Sequence, residues 1–378
     1  MELSFLQLIW FVLIIVLWIG YLTLEGFGFG AGILLKVLPR NEKERRLLLN
    51  TIGPHWDGNE VFLLTAGGAT FAAFPAWYAT MFSGMYTALV LVLVLLILRI
   101  SALEWRGKIN SDRWRAVWDN LHFISAALAS VVWGVAFGNL VQGMKIEVGS
   151  YATYGAGDFQ AVDPSTVETA VAHGAKHYMT GGFFSLFTPF TILAGVVVLL
   201  LFLSHGALWL TIKTKGDFRT RALALAKKIT VAATGVTAVW ALWAQLAYSD
   251  AMWGWIALLL TAGALITTCL MTLKEKDIAA FFCSFGALAM AVVFIFSTFG
   301  ANALKSSINS AYNLTLIQAS ATAPTHTVML IAAIIFVPIV AVYMIWSYLA
   351  FSSRLSAENM SDRPSGLDPK RIREFAAA

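Results

Sequence analysis

The sequence predicts an all-α integral membrane protein with nine transmembrane helices, and three observations carry that prediction. Apolar residues make up 59% of the 378 residues and charged residues only 12%, against about 25% charged in an ordinary soluble domain. A soluble fold with so few charges would have nothing to cover its surface. Nine apolar stretches approach or exceed the roughly 20 residues that a helix needs to cross a bilayer core, and Lys and Arg alternate between the loops that join them.

The spans fall at about 5–25, 59–77, 80–101, 117–141, 184–212, 228–247, 252–272, 278–298 and 328–350. Most are too long and too uniformly apolar for barrel strands, which would alternate residue by residue. The first follows Glu2 with no Lys or Arg before it and no small-residue cleavage site after it, so it reads as a span and not as a cleaved signal. No linker divides the chain: residues 1–351 form one transmembrane domain, and a charged tail over 352–378 is expected to fray in the cytoplasm. The long polar loops at about 142–183 and 299–327 fall on the external side.

The basic residues set the orientation. The first loop holds Lys36, Arg40, Lys43, Arg45 and Arg46; the third holds Arg99, Arg106, Lys108, Arg113 and Arg115. The fifth holds Lys213, Lys215, Arg219, Arg221, Lys227 and Lys228, the seventh Lys274 and Lys276, and the tail Arg354, Arg363, Lys370, Arg371 and Arg373. Only Lys145, Lys176 and Lys305 fall elsewhere. Cytoplasmic loops retain Lys and Arg, so the N-terminus lies outside and the C-terminus inside. The net charge of +5 is then the topological signal facing anionic headgroups, and no nucleic-acid partner is needed to explain it.

Ionisable groups within spans are costly and are candidates for function. Glu25 ends the first apolar run, yet "EGFGFGAGILL" continues beyond it. Gly26, Gly28, Gly30 and Gly32 give small-xxx-small faces for close helix approach. His55, Asp57 and Glu60 stand at the entry of the second span. Asp57 and Glu60, three residues apart, share a helix face. They fit a coupled carboxylate pair that holds and passes protons; the spacing taken alone favours a capping box with Asp57 at the N-cap, and the two roles are compatible. His205, inside the fifth span, offers heme ligation or a hydrogen bond within the bundle, and the second is the commoner use. Asp119 and His122 read as an intrahelical pair. Trp56, Trp77, Trp105, Trp114 and Trp118 read as interface anchors. Cys269 and Cys283 lie inside spans and read as packing residues. No nucleotide-binding, Ser-His-Asp or metal-ligand pattern occurs, so no catalytic residue and no metal site is expected in this chain.

The stretch "NTIGPHWDGNEVFLLTAGGATFAAFPAWYATMFSGMY" resembles the signature of subunit II of the cytochrome bd-type ubiquinol or menaquinol oxidases. "LEGFGFG", "RNEKERRLLLN", "EWRGKI", "RWRAVWD", "GVAFGNLVQG" and "TPFTILAGV" fall around it in the family's order, densely up to about Leu210. The resemblance implies two four-helix bundles plus a peripheral helix in a bacterial cytoplasmic membrane. It implies a complex that takes electrons from quinol and reduces O2 to water, with protons drawn from the cytoplasm. Hemes b and d belong to the partner, subunit I. Subunit II carries no heme, stabilises subunit I, has room for a structural quinone, and helps bring in protons. Small single-span accessory subunits are candidate further partners. Asp57 matches the carboxylate on the proton route. Many relatives carry a second carboxylate where this chain has Gly28, and Gln where it has Glu60, so the relay is expected to be rearranged.

Two other readings stay open on the sequence. A secondary transporter would show broken helices in corresponding positions of two halves, and only one Gly-rich interruption is visible. A purely structural scaffold would use its polar residues only to cap and pair.

Overall fold

A computed structural model describes residues 3–153, 156–249, 251–361, 366–367 and 369. Arg363, Lys370, Arg371 and Arg373 of the expected tail lie outside the described residues. The first span is α1 (Phe5–Leu24) followed by α2 (Gly26–Leu34). Ser4 and Gln7 cap its start reciprocally. Glu25 joins the two helices without breaking the ladder: its N–H bonds Tyr21 O at 2.8 Å and its carbonyl accepts from Phe29 N at 3.0 Å. The pair makes a single 30-residue run, Phe5–Leu34. Glu25 is therefore inside a helix that continues for two more turns.

There follow α3 (Glu42–Ile52), α4 (Trp56–Ala73), α5 (Pro75–Gly84), α6 (Tyr86–Trp105) and α7 (Asp112–Gln142). After the long polar segment, which contains α8 (Val167–Ala172), come α9 (Pro189–Lys213), α10 (Gly216–Tyr248), α11 (Met252–Leu273) and α12 (Asp277–Ser297). The short α13 (Leu316–Ala319) precedes α14 (Ala323–Ala350). Eight helical stretches among the described residues are long and apolar enough to cross a membrane, and α4 with its two acidic residues is not one of them. The second and third expected spans are displaced, because the chain breaks at Phe74 and again at Met85. Pro75 has no N–H and pushes the residue before it out of the helical region. The carbonyl of Ala73 accepts instead from Ala321 N at 2.9 Å and bonds His326 Nε2 at 2.9 Å. His326 O in turn accepts from Trp10 Nε1 at 3.0 Å. At the other end Asn59 Nδ2 donates to Leu24 O and Tyr348 OH donates to Asn59 Oδ1, both at 2.8 Å. α1, α4 and α14 are thus tied at both ends. Trp77, expected as an interface anchor, is only 2% exposed, because α5 turns inward and sets it against Phe11, Phe74 and Phe296.

The membrane part is helical, and small sheets cap one end. β1 (Ile146–Thr153) pairs antiparallel with β2 (Ala156–Ala161) and β3 (Lys176–Met179); β4 (Asn302–Leu304) pairs with β5 (Leu314–Thr315). The opposite end gathers the basic loops. Arg221 donates to Glu44 and to Leu38 O, and Arg219 to Asp277. Arg106 clamps two carboxylates, Glu42 at 2.8 Å through two bonds and Asp119 at 2.5 and 3.1 Å. Asp119 is therefore not paired with His122, as its spacing suggested: a bidentate guanidinium is the stronger partner. The described part of the tail is docked, contrary to the expected fraying. Leu355 exchanges backbone bonds with Lys213 and Lys215, and Leu367 with Lys108 and Asn110. Paired backbone groups hold the tail where side-chain composition gave no sign of it.

α2 packs against α9 and α7 through its glycines. A β-carbon at Gly30 would stand 1.8 Å from Phe202 O, and one at Gly206 would stand 2.5 Å from Ala31 N. The small-xxx-small reading of this helix holds. Gly30→Val should lower stability by about 3 kcal/mol, the upper end of ordinary overpacking. Gly235→Ala, inside α10 where nothing lies within 4 Å, should raise it by up to about 1 kcal/mol, the helix propensity of Ala over Gly; thermal unfolding in detergent measures both. Burial works to raise the Glu42 carboxyl, but the hydrogen bonds and charge of Arg106 outweigh it and hold it below the usual range. A depressed carboxyl contributes stability that is present above its unfolded value, about 4.3, and is lost as pH falls through the lower folded value. Glu42→Gln should therefore flatten the acid side of the stability profile below about pH 4.3, read from unfolding midpoints across pH.

Candidate functional site

The polar centre of the protein is one guanidinium between two carboxylates. Arg99, on α6, donates through Nη1 to Glu25 Oε1 and through Nη2 to Glu60 Oε1. Glu25 and Arg99 are each 1% exposed, while the Glu60 side chain keeps 16%. Phe29 lies under the guanidinium, 4.3 Å from its ring centroid. Three helices deliver these groups. The unbroken α1–α2 ladder carries Glu25 to the centre, α4 brings Glu60, and α6 brings Arg99. Among the described residues, Glu25 Oε2 and Arg99 Nε have no hydrogen-bond partner, so the triad keeps polar atoms to spare inside the bundle.

Arg99 had read as a loop cation that marked topology. It is instead buried in α6, two turns before the helix ends at Trp105. Its position inside the apolar stretch 80–101, opposite a lone buried carboxylate, is the signal that identifies it. The expected capping box does not form. α4 starts at Trp56 with His55 in the cap position, and no side-chain cap bond is made. The helix starts two residues earlier than the box requires, and Glu60 turns to Arg99, a charged partner that an exposed cap cannot match.

The structure separates Asp57 from this triad. Asp57 is exposed and has no hydrogen bond or ion pair among the described residues. It lies one turn before Glu60, on a stripe of exposed residues at Asp57, Val61, Leu64, Gly68 and Phe71. His55 is buried against α14, stacked on Tyr348 at 4.3 Å. Burial first, and the Lys213 ammonium second, hold its imidazole down at about 4, which favours the neutral ring near pH 7.

His205, His122 and His326 are internal. His205 bonds Ser284 Oγ at 2.6 Å through Nδ1 and Thr23 O at 3.0 Å through Nε2. Both ring nitrogens are engaged within the bundle, the commoner of its two readings. His122 Nδ1 bonds Arg99 O at 3.0 Å. A cavity of about 520 Å³ lies between α4, α5, α6 and α7, with an apolar lining that includes Leu63, Phe71, Met81, Leu89 and Phe137. No group of three or more His, Cys, Asp or Glu is placed to hold a metal among the described residues.

Removing one partner of a buried ion pair leaves the other charge uncompensated and costs about 3–5 kcal/mol. Arg99→Ala strands two carboxylates and should cost at least that much. The triple replacement Arg99→Met, Glu25→Gln, Glu60→Gln should recover most of the loss. Thermal unfolding of the assembled protein in detergent distinguishes the two.

The comparisons with known proteins agree with one another. Residues 6–351 match the family model described as cytochrome bd terminal oxidase subunit II. The cytochrome bd ubiquinol oxidase subunit 2 of Bacillus subtilis is 39% identical over 358 residues, 92% of this chain and 96% of that protein. The probable cytochrome oxidase subunit 2 of Haemophilus influenzae is 36% identical, covering 94% of this chain and 97% of its own. The cytochrome bd-I ubiquinol oxidase subunit 2 of Escherichia coli K12 is 32% identical, covering 94% and 96%. In fold, the chain is similar to a chain of the bd oxidase of Geobacillus thermodenitrificans, with TM-score 0.58 at 9% identity over 91% of this chain and 98% of that one. Fold and sequence thus point the same way, and the chain belongs to the cytochrome bd terminal oxidase subunit II family.

Proposed function

We propose that the chain is the non-heme subunit II of a quinol:O2 oxidoreductase in an aerobic respiratory chain, and that it leads cytoplasmic protons toward the heme-bearing subunit I. The observation that carries the reading is the buried Glu25–Arg99–Glu60 triad, one helical turn inside the exposed Asp57. One guanidinium balances one of two carboxylates, and a proton is the counter-charge for the other. A proton taken at Asp57 passes to Glu60 and then, across Arg99, to Glu25. His55, neutral and without a hydrogen-bond partner, lines the entry without carrying charge. Gly28 supports the rearrangement expected from the sequence. A β-carbon there would stand 3.5 Å from Arg99 Nη1, so a carboxylate at 28 and one at 60 would meet the same guanidinium.

Nine spans, with the N-terminus outside and the C-terminus in the cytoplasm, fit this reading. α4 reaches from the level of Tyr348 to that of His326, the same depth as α14. The basic loops and the docked tail share one face. Helix packing supports two four-helix bundles, one of α1–α2, α4, α6 and α7 and one of α9 to α12, with α14 peripheral. The exposed stripe of α4 suits the partner subunit. Its spacing is that of a packed helix seam, and Gly67 and Gly68 there meet nothing within 4 Å, leaving room for close helix approach. The cavity beside α4 has an apolar lining that suits the isoprenoid tail of a structural quinone or a lipid chain. Hemes b and d remain with the partner, and small single-span accessory subunits would join at the remaining apolar surface.

The scaffold reading keeps one observation in its favour, since Arg99 satisfies both carboxylates as a structural pair would. Substitution in the assembled complex decides. Asp57→Asn and Glu25→Gln should each slow oxygen consumption and charge separation at least about tenfold, equivalent to ~1.4 kcal/mol in the barrier, with the complex intact. Unchanged rates in both would leave only the scaffold.

A further inference from the structure

The Glu25 carboxyl shares the bare side of α2 with a second proton-holding group. Gly28 and Gly32 lie one turn apart on that helix, where side-chain positions are about 5–6 Å from each other. A β-carbon at Gly28 would stand 2.6 Å from Glu25 Oε1, and one at Gly32 would stand 2.7 Å from His122 Nε2. The carboxyl and the imidazole therefore rest over successive glycines of one strip. Both also line a single narrow void, together with Gly28, Asn59 and Arg99.

The tautomer of His122 follows from its partner. Nδ1 lies 3.0 Å from Arg99 O, and a carbonyl only accepts, so Nδ1 carries the hydrogen. In the neutral ring Nε2 then presents a bare lone pair. His122 is 2% exposed, and Nε2 has no partner, as Glu25 Oε2 has none. A buried acceptor left empty has given up its water without a replacement. Both atoms belong to residues that line one void, and a proton shared between them would satisfy both.

Resting on the relay reading above, we propose that His122 Nε2 is the group that receives the Glu25 proton. The O–H bond at Glu25 breaks, an N–H bond forms at Nε2, and a carboxylate and an imidazolium result. The reverse step returns the proton. The void admits no separate water molecule, so the Glu25 carboxyl makes the passage by swinging over Gly28. The charged groups that face His122 come from three helices. Arg99 on α6 and Arg106 just beyond that helix are the cations near the ring. Asp119, one turn away on α7 and clamped by Arg106, and the carboxylate left at Glu25 are the anions. His122 would so keep a proton at the inner end of the path while Glu25 is refilled from Glu60.

Isosteres separate this role from a structural one. In His122→Asn the side-chain amide still donates to Arg99 O but has no base at Nε2; His122→Leu loses both. The test uses the whole oxidase complex, with oxygen consumption and the redox-induced infrared difference spectrum as readouts. The expected result is thermal stability retained in His122→Asn, turnover lowered several-fold in both variants, and a shifted carboxyl band of Glu25, assigned by its loss in Glu25→Gln. Wild-type turnover and an unshifted band in His122→Asn would overturn the proposal while a slow Glu25→Gln left the relay standing. Unchanged turnover in Glu25→Gln would overturn both.

Discussion

Arg99 is the constraint on which the rest of this structure depends. A cation deep among apolar helices is tolerated only when its charge is answered, and here two carboxylates answer it from two other helices. That requirement fixes the rotation of α1–α2, α4 and α6 about their axes, because each must turn one polar group to the same point. It also keeps α1 and α2 in register as one run. A true break at Glu25 would release carbonyls of the last turn of α1 and let the carboxyl drift from the guanidinium. Phe29 beneath the guanidinium adds a face for the cation that costs no further polar group.

Close packing then places the centre. The glycines of α2 bring its backbone against α9 at Phe202 and Gly206, a separation that larger side chains would forbid. Because α9 also carries His205 and Trp209 to α1 and to the α3 end, the two halves of the molecule share one spine. The alternate glycines of the same run, Gly28 and Gly32, leave a strip without side chains over which Glu25 and His122 sit. One sequence feature therefore does two things. It lets helices approach, and it leaves room for polar atoms inside them.

Much of this was legible in the sequence, and the misses share a cause. Composition and the alternation of basic loops gave the helical membrane class, and the glycine spacing gave the tight face of α2. Local pattern was weakest where a distant partner decided the outcome. Asp57, Gly58, Asn59 and Glu60 spell a helix cap, yet the helix starts earlier because Glu60 has Arg99, thirty-nine positions away. Asp119 and His122 have the spacing of a pair, yet Arg106 and the Arg99 carbonyl take them separately. Trp77 has the look of an anchor, but Pro75 turns its helix inward. The tail is held by backbone pairing, which leaves no trace in side-chain type. Arg99 itself was hidden by a boundary, since its place near the end of an apolar stretch made it resemble its loop neighbours.

The ties of α14 also set an order in time. Its residues His326 and Tyr348 close the two ends of the α1–α4 pair, and they come after every other spanning helix along the chain. A ribosome working from the N-terminus delivers the first pair of helices hundreds of residues before the one that fastens them. Until then the carbonyl of Ala73 lacks both of its partners and Asn59 lacks its tyrosine. The nascent protein must live for most of its synthesis with that flank unlatched, and insertion of α14 completes the flank.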